Sequence, residues 1–126
     1  MNTSTCNVTV SAQSIYLAEQ SDEDQSRYMF AYTVKITNNG SVAARLISRH
    51  WLITDSNERV QEVRGDGVVG EQPNLEPGST YEYTSSAAIE TPVGTMRGSY
   101  QMVAEDGTRF DAVIPEFTLS IPRVLH

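Results

Sequence analysis

Residues 45–70 read RLISRHWLITDSNERVQEVRGDGVVG, and this stretch decides the fold of the chain. Its first half alternates between two sides of a strand, with Ile47, Trp51 and Ile53 on one side and Leu46, Ser48, His50 and Leu52 on the other. The single tryptophan is predicted to face a core. A turn signal at 55–58 and a short strand at 60–64 follow. The stretch therefore predicts two consecutive β-strands that end in a loop.

Three glycines in that loop, Gly65, Gly67 and Gly70, match the GxGxxG spacing of dinucleotide-binding folds. The spacing has that meaning only between a strand and a helix, and Pro73 and Pro77 exclude a helix here. Two interpretations remain. The glycines permit backbone angles or close approaches that a β-carbon would forbid, or their N–H groups cradle an anion without a helix.

Strand patterns continue on the N-terminal side of this stretch. Residues 28–36 alternate without interruption and form the clearest strand of the chain. An earlier strand within 6–19 changes parity, which predicts a β-bulge near Gln13. The polar segment 20–26 is predicted to be an exposed loop, and Asn38, Asn39 and Gly40 predict a turn into the next strand.

The C-terminal side also alternates. The sequence LEPGSTY at 75–81 predicts a turn and then a strand with Tyr81 and Tyr83 on one face. Residues 85–94 are predicted to be a loop, and residues 96–104 a strand. Asp106 and Gly107 signal a tight hairpin into a last strand at 109–119.

The absence of helical periodicity determines the fold class. No stretch of ten or more residues keeps a 3.6-residue apolar period, and turn signals recur often enough for about seven strands. We therefore predict an all-β fold, an immunoglobulin-like or fibronectin type III-like β-sandwich. The 126 residues suffice for one domain, with a folded core at about 6–119 and a short loose tail at 120–126.

Composition narrows the function. The chain is 39% hydrophobic and 20% charged, as in soluble globular proteins, and lacks both a membrane-length apolar run and a secretory signal, so we expect a cytoplasmic protein. A net charge of −7 argues against nucleic-acid binding. Cys6 is the only cysteine and His50 and His126 the only histidines, so we predict no disulfide, no zinc site and no cofactor.

Five segments carry a resemblance to the bacterial ApaG family: SRHWLITD (48–55), EVRGDGVVGEQP (62–73), LEPGSTYEYTS (75–85), ETPVGTMRGSYQM (90–102) and IPEFTL (114–119). Two small departures are Glu58, where the family often has glycine, and Tyr81, where phenylalanine is common. The resemblance implies a fibronectin type III-like sandwich. It also implies genetic links to cobalt resistance and magnesium efflux, and a relation to domains of eukaryotic F-box proteins.

The first functional hypothesis is a non-catalytic protein-interaction module with an unidentified protein partner, in a monomer or a homodimer. Sandwich folds bind partners through sheet edges and through loops held on a rigid scaffold. The expected partner-facing residues are the charged residues of the signature segments, namely Arg49, His50, Arg64, Glu71 and Arg97.

Three alternatives involve other chemistry. A phosphate or pyrophosphate binder would hold a small anion on the N–H groups of residues 65–70, with Arg49 or Arg64 supplying charge. A divalent-cation sensor would draw its ligands from carboxylates, namely Asp22, Glu23, Asp24, or Asp66 with Glu71, although their spacing matches no calcium loop. A hydrolase would combine Ser48, His50 and Asp55, but no nucleophile elbow is present and we predict no catalytic residue.

Overall fold

The computed structural model describes residues 6–122 and contains eight β-strands in that range. The strands are β1 (Val8–Tyr16), β2 (Tyr28–Asn38), β3 (Ala44–Asp55), β4 (Val60–Asp66), β5 (Asn74–Leu75), β6 (Thr80–Ile89), β7 (Val93–Ala104) and β8 (Arg109–Ser120). The predicted loop before β2 holds two single turns of 3₁₀ helix, Ala18–Gln20 and Glu23–Gln25. The described residues form no α-helix, and the all-β prediction is confirmed.

Two antiparallel sheets form a sandwich. One sheet has the order β1-β2-β6, and the other has the order β4-β3-β7-β8 with the short β5 also paired to β3. The chain crosses between the sheets after β2, where Asn38 is buried and its side-chain amide donates to the carbonyls of Val42 and Leu75, at 2.9 Å each. This packing of a three-stranded sheet on a five-stranded sheet confirms the predicted fibronectin type III-like sandwich.

The core lies between the inner faces of the sheets. Trp51 on β3 is 2% exposed and packs against three aromatic rings: Tyr32 at 5.3 Å, Tyr100 at 6.3 Å and Phe117 at 6.0 Å between ring centroids. The tryptophan therefore faces inward as predicted, with mostly edge-on ring contacts of the kind aromatic pairs prefer.

The two sides of the sandwich differ. On one side β1 lies beside β8, and the Ser14 hydroxyl donates to the carbonyl of Thr118 at 2.8 Å. On the other side β4 and β6 are both edge strands, linked through the Gln61 side chain, which donates to the carbonyl of Ala88 at 3.0 Å. One side is thus closed by neighbouring strands and the other is bridged by side chains.

The predicted bulge near Gln13 is wrong, because β1 and β2 keep one register from Val8 opposite Asn38 to Tyr16 opposite Phe30. The apparent change of parity arises because Ile15 is 66% exposed while Tyr16 packs inward. A bulge occurs instead in β3, where pairing with β7 shifts between Leu46 and Ser48.

The bulge changes which residues of β3 face the core: Leu46 does, although the sequence pattern placed Ile47 on the side of Trp51. The extra residue, Ile47, lets Leu46 and Trp51 face the same core although they are five positions apart. Leu46 is fully buried, whereas Ile47 is only half-buried. A bulge adds one residue on one strand against its partner, and this reverses the parity beyond it.

The predicted loop at 85–94 is also wrong, because β6 continues to Ile89 and β7 begins at Val93. Ala87 and Ile89 face inward, opposite Phe30 and Tyr28 of β2. The serine and alanine residues of this segment have weak strand propensity, so the sequence pattern did not indicate a strand. Packing against β2 stabilises it. At the C-terminus, Ser120 belongs to β8 and Ile121 packs against the core, so the predicted tail does not begin at 120; residues 123–126 lie outside the described range.

Candidate functional site

Six residues on the outer face of the five-stranded sheet form two rows across β4, β3 and β7. The first row is Arg64, His50 and Ser99, and the second is Glu62, Leu52 and Arg97. Their strand neighbours Trp51 and Met96 are buried, so these six side chains project away from the core. We call the four charged or titratable members, His50, Glu62, Arg64 and Arg97, the outer patch.

Glu62 connects two members of the outer patch. Its Oε2 lies 2.6 Å from Nε2 of His50 and 2.9 Å from Nη2 of Arg64. The hydrogen bond with His50, followed by the charge of Arg64, holds the pKa of the Glu62 carboxyl below its ordinary value. Half of the Glu62 side chain and 71% of the Arg64 side chain are exposed, so the pairs hold the patch in shape while leaving it open to a partner.

Arg49 occupies the opposite face of β3, with Tyr100 and Gly65 as its register partners. Its Nη1 donates to the carbonyls of Asp66 and Gly67, at 2.9 Å each. The guanidinium therefore ties the start of the glycine loop to the inner side of the sheet. It does not belong to the outer patch, although sequence placed it next to His50.

The glycine loop is built on a tight turn at 68–71. The N–H of Val68 donates to the carbonyl of Glu71 at 2.8 Å, and the N–H of Glu71 returns a bond of 2.9 Å. Both central residues have positive φ, +41° at Val69 and +82° at Gly70, as a type I′ turn requires. Glycine adopts this conformation readily, but a β-branched valine rarely does.

The bulge of β3 anchors this loop. The Ile47 carbonyl accepts from the N–H of Gly67 at 2.8 Å and from Nε2 of Gln72 at 2.9 Å. Together with the turn, these bonds engage the N–H groups of Gly67, Val68 and Glu71 with protein carbonyls. The loop thus uses three of its N–H groups internally rather than aiming them at one concave point, as an anion cradle does.

The structure divides the predicted site residues between two locations. His50, Arg64 and Arg97 come together in the outer patch, whereas Arg49, Gly65, Gly67, Gly70 and Glu71 belong to the glycine loop or its anchor. Sequence reasoning missed Glu62. The available signal was its two-residue spacing from Arg64 on a strand, which places both side chains on one face.

The residues considered for hydrolysis make other contacts. Ser48 donates to Oε1 of Gln101 at 2.8 Å, and His50 is bonded to Glu62. Asp55 is buried, and its carboxylate accepts from the N–H groups of Asn57 and Arg59, at 2.8 and 3.0 Å. The three residues therefore do not form a nucleophile, base and acid relay in this geometry.

The carboxylates considered for cation binding are dispersed. Asp22 accepts a 3.3 Å bond from the N–H of Gln25 at a 3₁₀ turn, and residues 6–122 contain no group of three or more His, Cys, Asp or Glu arranged to hold a metal ion. In the same range, no helix is long and apolar enough to cross a membrane.

Comparison with known proteins gives concordant matches. The model of the ApaG domain matches residues 18–104. The ApaG protein of Thiobacillus denitrificans is 66% identical over 119 residues, which cover 94% of each chain. That of Chromobacterium violaceum is 62% identical over 117 residues, 93% of each chain. A crystal structure of an ApaA protein from Bordetella pertussis has a TM-score of 0.91 at 58% identity, over 94% of this chain and 97% of that chain.

Proposed function

This chain belongs to the ApaG domain family, and from that premise we propose that it is a non-catalytic module that binds a cytoplasmic protein through the outer patch and the adjoining edge of β4. Family membership supplies a fold here rather than a chemistry, so the proposal rests on the surface itself. We keep the family's association with cobalt resistance and magnesium efflux as an expectation about the process in which the partner acts.

The edge of β4 is the observation that carries the proposal. β4 pairs only with β3 among the described strands, so its other edge presents backbone N–H and C=O groups without a strand partner there. Val60 on this strand is 58% exposed, and every residue of β4 except Gly65 is exposed. Such an edge accepts an added strand from a partner, with backbone hydrogen bonds for affinity and side chains for selectivity.

The outer patch lies beside that edge and supplies selectivity. It combines three groups able to carry positive charge with one carboxylate, on a chain whose net charge is −7. The projecting guanidinium groups of Arg64 and Arg97 favour a partner segment that brings acidic side chains to them. The anion-binder alternative is less well supported, because the glycine loop engages three of its own N–H groups.

The test replaces Arg64 and Arg97 by alanine together and follows co-purification of a specific partner from cells. We expect loss of the partner at a nearly unchanged melting temperature, because exposed ion pairs contribute only about 0–1 kcal/mol. The matched control replaces Lys35 and Arg109, which removes the same charge elsewhere. Equal recovery of the partner with both variants would contradict the proposal.

A further inference from the structure

A cavity of about 330 Å³ opens between the two sheets on the bridged side of the sandwich. Its walls come from the inner faces of β3 and β4 and from residues 85–88 of β6. Trp51, Tyr32 and Met96 form its buried apolar surface, and Val63 and Ala87 lie nearer its mouth. Gln61, Ser85 and Ser86 add polar side chains to the lining, and the volume falls within the range of small-molecule sites.

Arg49 brings a positive charge to this cavity. Two backbone carbonyls accept from its Nη1, but no carboxylate within residues 6–122 lies within ion-pair distance of it, and its Nε and Nη2 make no hydrogen bond there. The side chain is half-buried and lies near three buried tyrosines, which offer no countercharge. A partly buried guanidinium favours an anion with planar, two-point geometry.

Trp51 supplies an aromatic surface of this cavity. Its indole Nε1 is the one buried side-chain nitrogen or oxygen in the described part of the chain that has no hydrogen-bond partner. Because the nitrogen itself is buried, a ligand in the cavity meets the indole ring rather than this N–H. The indole ring lines the same cavity as Arg49.

We propose that this cavity binds a small organic monocarboxylate with a compact apolar body. The carboxylate accepts hydrogen bonds from the free guanidinium N–H groups of Arg49, and the body packs on the indole ring of Trp51 and on Tyr32, Met96 and Ala87. The one cation in the cavity lining matches one negative charge, whereas a phosphate or pyrophosphate would bring charge that this cavity leaves uncompensated. The site lies on the face of the sheet opposite the outer patch, but its mouth adjoins the edge of β4, so a strand added to that edge would lie beside it.

Benzoate is a suitable probe, and the single tryptophan gives an unambiguous readout. In ¹H–¹⁵N spectra we expect a saturable shift of the Trp51 indole N–H on titration with benzoate, at about 10 mM or below. Benzamide keeps the apolar body but lacks the charge, and we expect it to bind at least about tenfold more weakly. No saturable shift with benzoate, equal binding of benzamide, or a preference for pyrophosphate would each overturn the proposal.

Two variants locate the site. Arg49→Met removes the cation at similar volume and is expected to weaken benzoate binding by at least about tenfold. Arg49→Met could also weaken binding by loosening the glycine loop, which Arg49 anchors. Ala87→Leu therefore tests the site separately, because it narrows the cavity and leaves the contacts of Arg49 in place. Binding of benzoate by Ala87→Leu as tightly as by the wild type would overturn the assignment. Arg64→Met, on the outer patch, is the matched control and should bind as the wild type does.

Discussion

The guanidinium of Arg49 lies so close to the backbone of Gly65 that a β-carbon at residue 65 would stand 2.7 Å from Nη2. Residue 65 is therefore glycine because the Arg49 side chain packs directly against its backbone. Its two companions in the GxGxxG pattern, Gly67 and Gly70, have positive φ, +62° and +82°, and a β-carbon at Gly67 would also collide with the Glu71 carbonyl. One sequence motif thus combines two different physical requirements.

Gly65→Ala should destabilise the fold modestly, by about 1 kcal/mol, because the arginine can move aside but then loses its bonds to the carbonyls of Asp66 and Gly67. Urea denaturation of a double-mutant cycle with Arg49→Met measures this. The cost should disappear when methionine replaces the arginine. If Gly65→Ala lowered the free energy of unfolding equally in the Arg49→Met variant, a contact other than Arg49 would exclude the methyl group.

Gly98→Ala should be far more damaging, by about 3 kcal/mol or more. A β-carbon there would stand 2.0 Å from the carbonyl oxygen of His50, which belongs to the paired strand β3 and cannot move without breaking the sheet. Chemical denaturation checks the value, with the neighbouring Ser99→Ala as control. A stability of Gly98→Ala within about 1 kcal/mol of the control would contradict this packing.

Val69→Asn should stabilise the protein by about 1 kcal/mol. Val69 holds φ at +41°, and asparagine tolerates that region and precedes Gly70 as the Asn-Gly pair that type I′ turns prefer. Thermal and urea unfolding should both show the gain. Val69→Thr keeps the β-branch and is the matched control; equal stability of the two variants would argue that the backbone angle carries no strain.

Tyr83 and Tyr100 should make the fold sensitive to alkali. Their hydroxyl oxygens lie 2.5 Å apart in the core, and burial raises the pKa of both well above the ordinary value of 10.0. Above pH 10 the unfolded chain loses these protons while the folded chain keeps them, so stability is full below pH 10 and falls as pH rises, by about 1.4 kcal/mol per pH unit for each tyrosine.

The double variant Tyr83→Phe/Tyr100→Phe tests this dependence, since it removes both hydroxyls and leaves neither unpaired. Its free energy of unfolding should fall less steeply above pH 10 than that of the wild type, by about 2.7 kcal/mol per pH unit. Parallel curves for the two proteins would indicate that both tyrosines ionise freely in the folded state.

His50→Ala should raise the pKa of the Glu62 carboxyl towards its ordinary value of 4.5, because the hydrogen bond with His50 is the largest cause of its lowering. Titration of the carboxyl carbon by NMR reports this directly. Arg64→Ala should produce a smaller rise. The lowered pKa also means that the stabilisation from this contact is present above pH 4.5 and is lost as pH falls through the folded-state pKa.

Local patterns predicted most of the fold but failed at particular residues for identifiable reasons. Period-two alternation identified β2 and β7 because each buries one face, and Asp106–Gly107 marked its hairpin because Gly107 needs a φ of +90°. The alternation within β3 did not predict the bulge at Ile47, because a bulge is defined by pairing with β7, a strand distant in sequence.

The site was less predictable because register decides which neighbours in sequence are neighbours in space. Arg49 and His50 are adjacent in the chain, yet β3 sends them to opposite faces of the sheet. Glu62 joins His50 only once β3 and β4 are paired. The cavity at Trp51 depends on the spacing of two sheets, about which no single strand carries information.

Ile47 is one residue more than the pleat of β3 requires. Without it Leu46 and Trp51 would be four positions apart and would still share the inner face, so both sheets would keep their register. The loss would be the extra carbonyl that receives Gly67 and Gln72. Arg49 and β4 also hold the glycine loop, so an in-frame deletion of Ile47 would remove one attachment of the loop while leaving the pairing of the sheets unchanged.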